Sequence, residues 1–174
     1  MATNIIEFKC DLTKEQTEFV YEMLSEAFPL YYGTAVEKYK LFSHSFLIRN
    51  RNEDDNFGVI NSGYWERVYS FFKEMCAKHG IEHRVIYRAA LNVTTFDTDK
   101  MGELHDDHRF PHKVFIMYLN DFSDGPLYIQ DRDTKKLIEI KAEKYKVVIF
   151  DGQIHAQGFC GNGERRVALV FTFN

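Results

Sequence analysis

The segment Val114-Phe-Ile-Met-Tyr-Leu119 decides the fold class, because it is apolar at six consecutive positions. Side chains of a strand point alternately to its two faces, so a strand with this pattern needs cover on both sides. Other short segments rich in β-branched and aromatic residues flank it and are separated by turn residues. In chain order the predicted strands are Val85–Phe96, Lys113–Leu119, Leu127–Gln130, Leu137–Ile140, Lys146–Phe150 and Val167–Phe173.

Two amphipathic helices are predicted before these strands. The first runs from Asp11 to Phe28, where Thr13 and Gln16 have the spacing of a capping box and Pro29 ends the helix. The second extends from Gly63 to about Lys78. We therefore predict a mostly β fold with flanking helices, an antiparallel sandwich or barrel with the N-terminal helices packed on one sheet.

Length and composition restrict the class of protein. The 174 residues are enough for one compact domain, with a helical part at about 1–80 and a β part at about 81–174. Apolar residues make up 45% and charged residues 28%, which excludes a disordered or fibrous chain. The formal net charge of −4 shows no basic excess, so a nucleic-acid partner is not expected. The oligomeric state stays open.

The cysteines and the apolar segments predict a location. The three cysteines, Cys10, Cys76 and Cys160, are far apart and predict free thiols in a reducing compartment. The first sixteen residues have no uninterrupted apolar run, so we expect no signal peptide. No stretch approaches the length of a transmembrane helix. A cytoplasmic protein without a membrane partner is expected.

Candidate metal ligands lie in two separate segments. In Leu104-His-Asp-Asp-His-Arg109, His105 and Asp107 are two residues apart and share a face if the segment is extended. His155 follows a buried-looking strand fifty residues after His105. Two imidazoles and one carboxylate are the facial ligand set of non-haem Fe(II) oxygenases, which leaves three positions of the octahedron open.

Arg166 opens the last predicted strand. Alternation places it on the strand face that carries the small residue Ala168, so its side chain can point into a cavity. A guanidinium in such a cavity needs a planar anion as its partner, and a carboxylate held by two hydrogen bonds meets this need.

The order of these motifs resembles the 2-oxoglutarate- and Fe(II)-dependent oxygenases, most closely the prolyl-hydroxylase-like branch. The resemblance runs from about Arg88 to the C-terminus and includes the His-x-Asp motif, Tyr118-Leu-Asn120, a Gly-x-Leu strand and the distal histidine and arginine. It implies a double-stranded β-helix, or jelly roll, with the site inside. Asp124 stands where the family has the first glycine of Gly-Gly-x-Leu, which leaves that turn open.

The resemblance also implies roles for individual residues. His105, Asp107 and His155 would ligate Fe(II), and Arg166 with Tyr118 would bind the distal carboxylate of the co-substrate 2-oxoglutarate. The implied reaction consumes O2, releases succinate and CO2 and hydroxylates an unactivated C–H bond. A prolyl residue is the leading substrate, within a wider class of peptides and small molecules. Beyond the metal ligands the reaction requires no catalytic residue.

Some assignments have alternatives. Arg165 is an alternative to Arg166, which we prefer because a small residue and a leucine follow it at the family spacing. Arg88 and Asn92 share a strand face and are candidates for the substrate side of the pocket.

Two further histidines and two rival functions remain open at the level of sequence. His108 and His112 are candidates for substrate contact or for an outer metal shell, but we expect solvated loop histidines. The rival functions are a metal-dependent, cupin-like enzyme that does not use 2-oxoglutarate and a non-catalytic jelly-roll binding module.

Overall fold

The structure is a computed structural model that describes residues 4–35, 39–49, 57–95, 97 and 99–174. Within these ranges the chain forms two helices, α1 (Lys14–Leu24) and α2 (Trp65–Lys78), and eleven strands. The strands are β1 (Ile5–Lys9), β2 (Tyr31–Ala35), β3 (Tyr39–Arg49), β4 (Gly58–Ile60), β5 (Ile86–Thr95), β6 (Lys113–Tyr118), β7 (Leu127–Gln130), β8 (Leu137–Ile140), β9 (Lys146–Asp151), β10 (His155–Gln157) and β11 (Arg165–Phe173). The prediction of a mostly β chain with two helices is confirmed.

The strands form two antiparallel sheets. The large sheet has the order β1-β9-β6-β11-β5-β3-β2, and β4 pairs with β3 at its side. The small sheet has the order β10-β7-β8. In the large sheet β11 lies in the middle, between β5 and β6, so residues of these three strands are direct neighbours.

The first eighty residues correct the expected division into a helical and a β part. They contain β1, β2, β3 and β4 as well as the two helices. These strands lie toward the edges of the large sheet, and several of their side chains are exposed, among them Tyr31, Tyr32 and Phe42. An edge strand needs less apolar cover than a central one, so its sequence carries a weaker pattern. Phe96, the last residue of one predicted strand, lies outside the described residues.

Helix α1 agrees with its predicted start signal, whereas α2 begins at Trp65, two residues after the predicted start at Gly63. Thr13 caps α1, because its hydroxyl accepts a hydrogen bond from the backbone N–H of Gln16 and the Gln16 side chain accepts one from the N–H of Thr13. This confirms the capping box. The helix ends at Leu24, before the predicted end at Phe28, since Ser25 is already extended. No helix among the described residues has both the length and the apolar character needed to cross a bilayer.

Both faces of the central sheet are covered. All six residues from Val114 to Leu119 are buried, as their apolar pattern predicts. On one face, α1 and α2 contribute to an apolar cluster in which the Phe72 ring stacks on Phe171 with centroids 4.2 Å apart. On the other face, the small sheet contributes Leu127 and Ile129 to a second cluster. Each fully buried side chain of this size contributes about 1.5–3 kcal/mol to stability.

The alternation of β11 places the two clusters on opposite faces and leaves room for a site between the sheets. Val167, Leu169, Phe171 and Phe173 belong to the cluster on the helix side. Ala168 and Val170 belong to the cluster between the two sheets. The predicted faces of this strand are confirmed, and Arg166 is on the same face as Ala168.

Candidate functional site

His105 and His155 are brought together by backbone pairing. The N–H of each donates to the carbonyl of the other at 2.9 Å, as in a short antiparallel bridge. Their ring centroids are 4.5 Å apart, although fifty residues separate them in the chain. The two imidazoles are therefore close enough to contact one ion.

Both imidazoles are held in the same tautomer. The carbonyl of Glu103 lies 3.0 Å from Nδ1 of His105, and the carbonyl of Gln153 lies 2.9 Å from Nδ1 of His155. A carbonyl only accepts, so Nδ1 must carry the proton, and the lone pair of the neutral ring is on Nε2. Burial lowers the pKa of His155, although the charge of Asp107 opposes this shift. A neutral imidazole with a free Nε2 is the form that binds metal ions.

The two oxygens of the buried Asp107 carboxylate have different neighbours. Its side chain is 5% exposed, and Oδ2 lies 3.6 Å from Nε2 of His155. Oδ1 accepts from Nη2 of Arg49 at 3.1 Å and from Nη1 of Arg88 at 3.4 Å. Burial alone would raise the pKa of Asp107, but the charges of His155, Arg88, His105 and Arg49 outweigh it and lower the pKa to about 2. The group is therefore ionised at neutral pH.

Arg166 is a buried cation without a carboxylate partner among the described residues. Its residue is 3% exposed. Nη2 donates to the Tyr118 hydroxyl at 3.5 Å, and the guanidinium carbon lies 4.9 Å from the centre of the Tyr118 ring. Nε is buried and has no hydrogen-bond partner. A buried charged donor left without an acceptor is costly, so this group has the character of a binding site for an anion.

One cavity connects these groups. It lies between the two sheets, opens to solvent and has a volume of about 50 Å³. Arg88 and Asn92 lie on its wall, and Oδ1 of Asn92 is buried without a partner. Arg88 pairs with Thr172 at one end of β11, whereas Arg166 is six residues away at the other end. The remaining lining residues are His105, Asp107, Ile116, Leu127, His155, Gln157, Ala168 and Val170.

Arg165 does not reach this cavity. Its Nη2 donates to the carbonyl of Leu24 at the end of α1, at 2.9 Å, and the residue is exposed. Consecutive residues of a strand point to opposite faces, so only one of the two arginines can face the space between the sheets. The structure places Arg166 there.

His108 and His112 correct the expectation of solvated loop histidines. His112 is buried, with its Nδ1 2.9 Å from the carbonyl of Phe110 and its ring against Gly152. Nε2 of His108 lies 2.8 Å from the Thr172 hydroxyl. Burial, reinforced by nearby positive charges, lowers the pKa of His108 to about 4. The segment that contains both histidines packs onto the end of β11 and onto the turn before His155. The sequence pattern alone does not indicate this packing.

Arg49 is a residue of the site that the sequence analysis missed. It ends β3 and reaches Asp107 across fifty-eight residues of chain. Nothing in its neighbourhood along the chain marks it as functional. Only the pairing of β3 with β5 places it beside the site.

The donor set suits a divalent metal ion in type, because two imidazoles and one ionised carboxylate lie beside a buried guanidinium that has no carboxylate partner among the described residues. Among the residues that the structure describes, however, no group of three His, Cys, Asp or Glu side chains is already arranged to hold a metal ion. Asp107 is instead engaged by Arg49 and Arg88. A bound ion would therefore require adjustment of these side chains.

Comparisons with known proteins show the fold. No family model matches the chain, and no curated protein matches it in sequence. An oxidoreductase of the 2OG-Fe(II) oxygenase family from Burkholderia pseudomallei matches with a TM-score of 0.77 at 11% identity, over 98% of this chain and 84% of that one. A prolyl hydroxylase from Trichoplax adhaerens, in complex with a hypoxia inducible factor peptide fragment, matches with a TM-score of 0.64 at 10% identity, over 97% and 82%.

A third similar structure is that of an enzyme named for a different reaction. The non-heme alpha ketoglutarate dependent epimerase SnoN from nogalamycin biosynthesis matches with a TM-score of 0.67 at 8% identity, over 99% of this chain and 78% of that one. The chain thus has the fold of the 2OG-Fe(II) oxygenases, prolyl hydroxylases included, over nearly its whole length. A shared fold does not specify the reaction or the substrate.

Proposed function

We propose that this protein is an Fe(II)- and 2-oxoglutarate-dependent oxygenase that hydroxylates an unactivated C–H bond within a double-stranded β-helix. The observation that carries the proposal is the cavity that contains His105, Asp107 and His155 together with the buried Arg166. The likeness in fold to 2OG-Fe(II) oxygenases supports it independently.

Each residue has a role in this proposal. His105, His155 and Asp107 would hold Fe(II), with Nε2 of each imidazole available because the carbonyls of Glu103 and Gln153 retain the proton on Nδ1. When bound, Fe(II) and 2-oxoglutarate supply the oxidative chemistry, in which O2, the co-substrate and a C–H bond yield succinate, CO2 and a hydroxylated product.

The deeper residues would bind the co-substrate. Arg166 and the Tyr118 hydroxyl would donate to its distal carboxylate, which would fill the unmet hydrogen-bonding capacity of the guanidinium. Ile116, Leu127 and Val170 provide apolar walls that exclude water and strengthen this ion pair.

A prolyl residue of a peptide is the first substrate to test. The prolyl hydroxylase from Trichoplax adhaerens was crystallised with a peptide fragment, which makes this class a reasonable choice. The epimerase among the similar structures shows that the fold accommodates other reactions, so small molecules belong in the same screen.

Metal binding and co-substrate turnover test the proposal. We expect the purified protein to bind Fe(II) anaerobically and, in air, to form succinate from 2-oxoglutarate. His155→Ala is expected to weaken metal binding by about tenfold or more and to abolish succinate formation, because a proposed ligand is removed. His83→Ala is the matched control, since His83 packs against Phe72 on the helix side of the sheet.

Two outcomes would contradict the proposal. If His155→Ala binds metal and forms succinate as the unchanged protein does, the metal site is wrong. If the protein binds metal but neither binds nor consumes 2-oxoglutarate, a metal-dependent enzyme of another kind replaces the proposal.

A further inference from the structure

Two guanidinium groups share one carboxylate oxygen beside the candidate metal site. Nη2 of Arg49 and Nη1 of Arg88 lie 3.1 and 3.4 Å from the same atom, Oδ1 of Asp107. A single oxygen compensates two like charges poorly, because each guanidinium can donate to both oxygens of a carboxylate when one is available in full. The pair therefore has spare donor capacity.

The surroundings of these arginines are electropositive. Burial, and the like charge of Arg88, lower the pKa of Arg49, while Asp107 and the exposed Asp106 oppose the shift. Besides burial, the charges of both arginines contribute to the lowered pKa of the neighbouring His108. Among the described residues, two acids thus face two guanidiniums here, and Asp107 is also a proposed metal ligand.

A site that held Fe(II) and 2-oxoglutarate would still lack a full counterion for two of its arginines. In the proposed enzyme, the charges of Fe(II) and Arg166 are matched by the two carboxylates of 2-oxoglutarate and by Asp107. Of the acids in the part of the chain that the structure describes, Arg49 and Arg88 would then retain only the exposed carboxylate of Asp106 as a nearby counterion. A buried or half-buried cation without a full counterion favours binding of an anion.

Both guanidiniums remain reachable from solvent. The side chain of Arg49 is 47% exposed and that of Arg88 is 26% exposed, and Arg88 lines the cavity directly. Asn92, with its unpartnered Oδ1, is on the same face of β5 and offers a polar contact farther along the cavity. A ligand that enters the cavity would therefore pass the two arginines beside the proposed metal ligands.

We propose that Arg88 and Arg49 bind a carboxylate of the substrate, and hence that the substrate of this site is an acid. The inference rests on the proposed oxygenase function and names its substrate class. The planar guanidinium fork matches a carboxylate in geometry as well as in charge. A neutral analogue would leave the two cations uncompensated, which gives the site its selectivity.

The test compares the binding of matched acids and amides to protein that already holds Mn(II) and 2-oxoglutarate. Protein with Mn(II) and 2-oxoglutarate, at concentrations that saturate each variant, is titrated with N-acetyl amino acids, proline included, and with their N-methylamides. A second series uses the N-methylamides of N-acetyl-aspartate and N-acetyl-glutamate against those of asparagine and glutamine. The first series probes a main-chain carboxylate and the second an acidic side chain.

We expect at least one acid to bind about tenfold more tightly than its amide. Arg88→Gln and Arg49→Gln should each remove most of this preference, whereas Arg67→Gln, which breaks the ion pair between Arg67 of α2 and Glu22 of α1, should retain it. Arg88→Lys keeps the charge without the fork, so it should retain part of the preference and replaces Arg88→Gln if that variant does not fold.

The outcomes separate the two proposals. If Mn(II) and 2-oxoglutarate bind but no acid does, or if amides bind as well as acids, the inference is wrong while the oxygenase proposal stands. An acid preference that survives in both arginine variants also overturns it. If the unchanged protein binds neither Mn(II) nor 2-oxoglutarate, the proposed function fails, and the substrate inference fails with it.

Discussion

Replacing Arg166 by Met is expected to make the ligand-free protein more stable and to remove its response to 2-oxoglutarate. Arg166 is buried, its Nε has no hydrogen-bond partner among the described residues, and its Nη2 donates a long hydrogen bond of 3.5 Å to Tyr118. Without an anion in the cavity, the folded protein bears the cost of desolvating this cation. Met is apolar and flexible and fills a similar space without that cost.

The expected gain in the free energy of unfolding is the desolvation cost that the buried guanidinium no longer imposes. Exchanging buried charged groups for apolar ones of similar volume is often neutral or stabilises by about 1–4 kcal/mol. Each kcal/mol corresponds to about 2–4 °C in the melting temperature of a chain of this size. In the unchanged protein, a ligand at one hundred times its Kd stabilises by about 2.7 kcal/mol. When 2-oxoglutarate is added at one hundred times its Kd, the unchanged protein should become the more stable of the two if the gain from Met is below about 2.7 kcal/mol.

Thermal unfolding with Mn(II), with and without 2-oxoglutarate, measures this reversal. The control is Arg165→Met, because Arg165 is the adjacent arginine but donates to the carbonyl of Leu24 outside the cavity. The control should lose about 1 kcal/mol or less and keep the full response to 2-oxoglutarate. If Arg166→Met is less stable in both conditions, or still responds to 2-oxoglutarate, the assignment of Arg166 as a buried anion-binding group is refuted.

Three further predictions use other contacts. Tyr118→Phe should cost about 1 kcal/mol of stability in the ligand-free protein, because Arg166 loses an acceptor. It should also weaken 2-oxoglutarate binding about tenfold by calorimetry, because one donor to the carboxylate is removed, and equal binding would exclude the hydroxyl. Gly152→Ala should lower the free energy of unfolding in urea by about 1–3 kcal/mol, because a Cβ at this position would overlap the His112 ring, and unchanged stability would contradict this packing. Burial raises the pKa of Cys10 to about 11 and of Cys76 to about 12, above their unfolded value of 9.0, so the folded state retains protons that the unfolded state loses. The free energy of unfolding should therefore fall as the pH rises from 9 toward 12, and Cys76→Ala should make this fall less steep. An equally steep fall in the variant would show that the Cys76 thiol does not cause it.

Local sequence pattern was sufficient to predict the central strands and the face of β11 that carries Arg166. The apolar run of Val114–Leu119 and the alternation from Arg166 to Phe173 depend only on the two faces of a strand, and both agree with the structure. The resemblance to 2-oxoglutarate oxygenases rested on the order of short motifs between Arg88 and the C-terminus, and the solved structures share the fold. The three free thiols were also readable from spacing alone.

Other features were beyond local pattern. Edge strands such as β1 and β2 are partly exposed, so their sequences lack the strong pattern of a buried strand and were absorbed into a helical region. The burial of His112 depends on the turn at Gly152, which follows it by forty residues.

The sequence by itself determined which strands are central and which face of β11 carries Arg166, because these properties repeat every two residues along one segment. Only the tertiary structure decided that Arg49 and Arg88 converge on one oxygen of Asp107 and that Arg166 lacks a carboxylate partner among the described residues. The reason is physical. Such contacts depend on the order in which distant strands pair, and the pairing is set by the free energy of the whole sheet and not by any short stretch of chain.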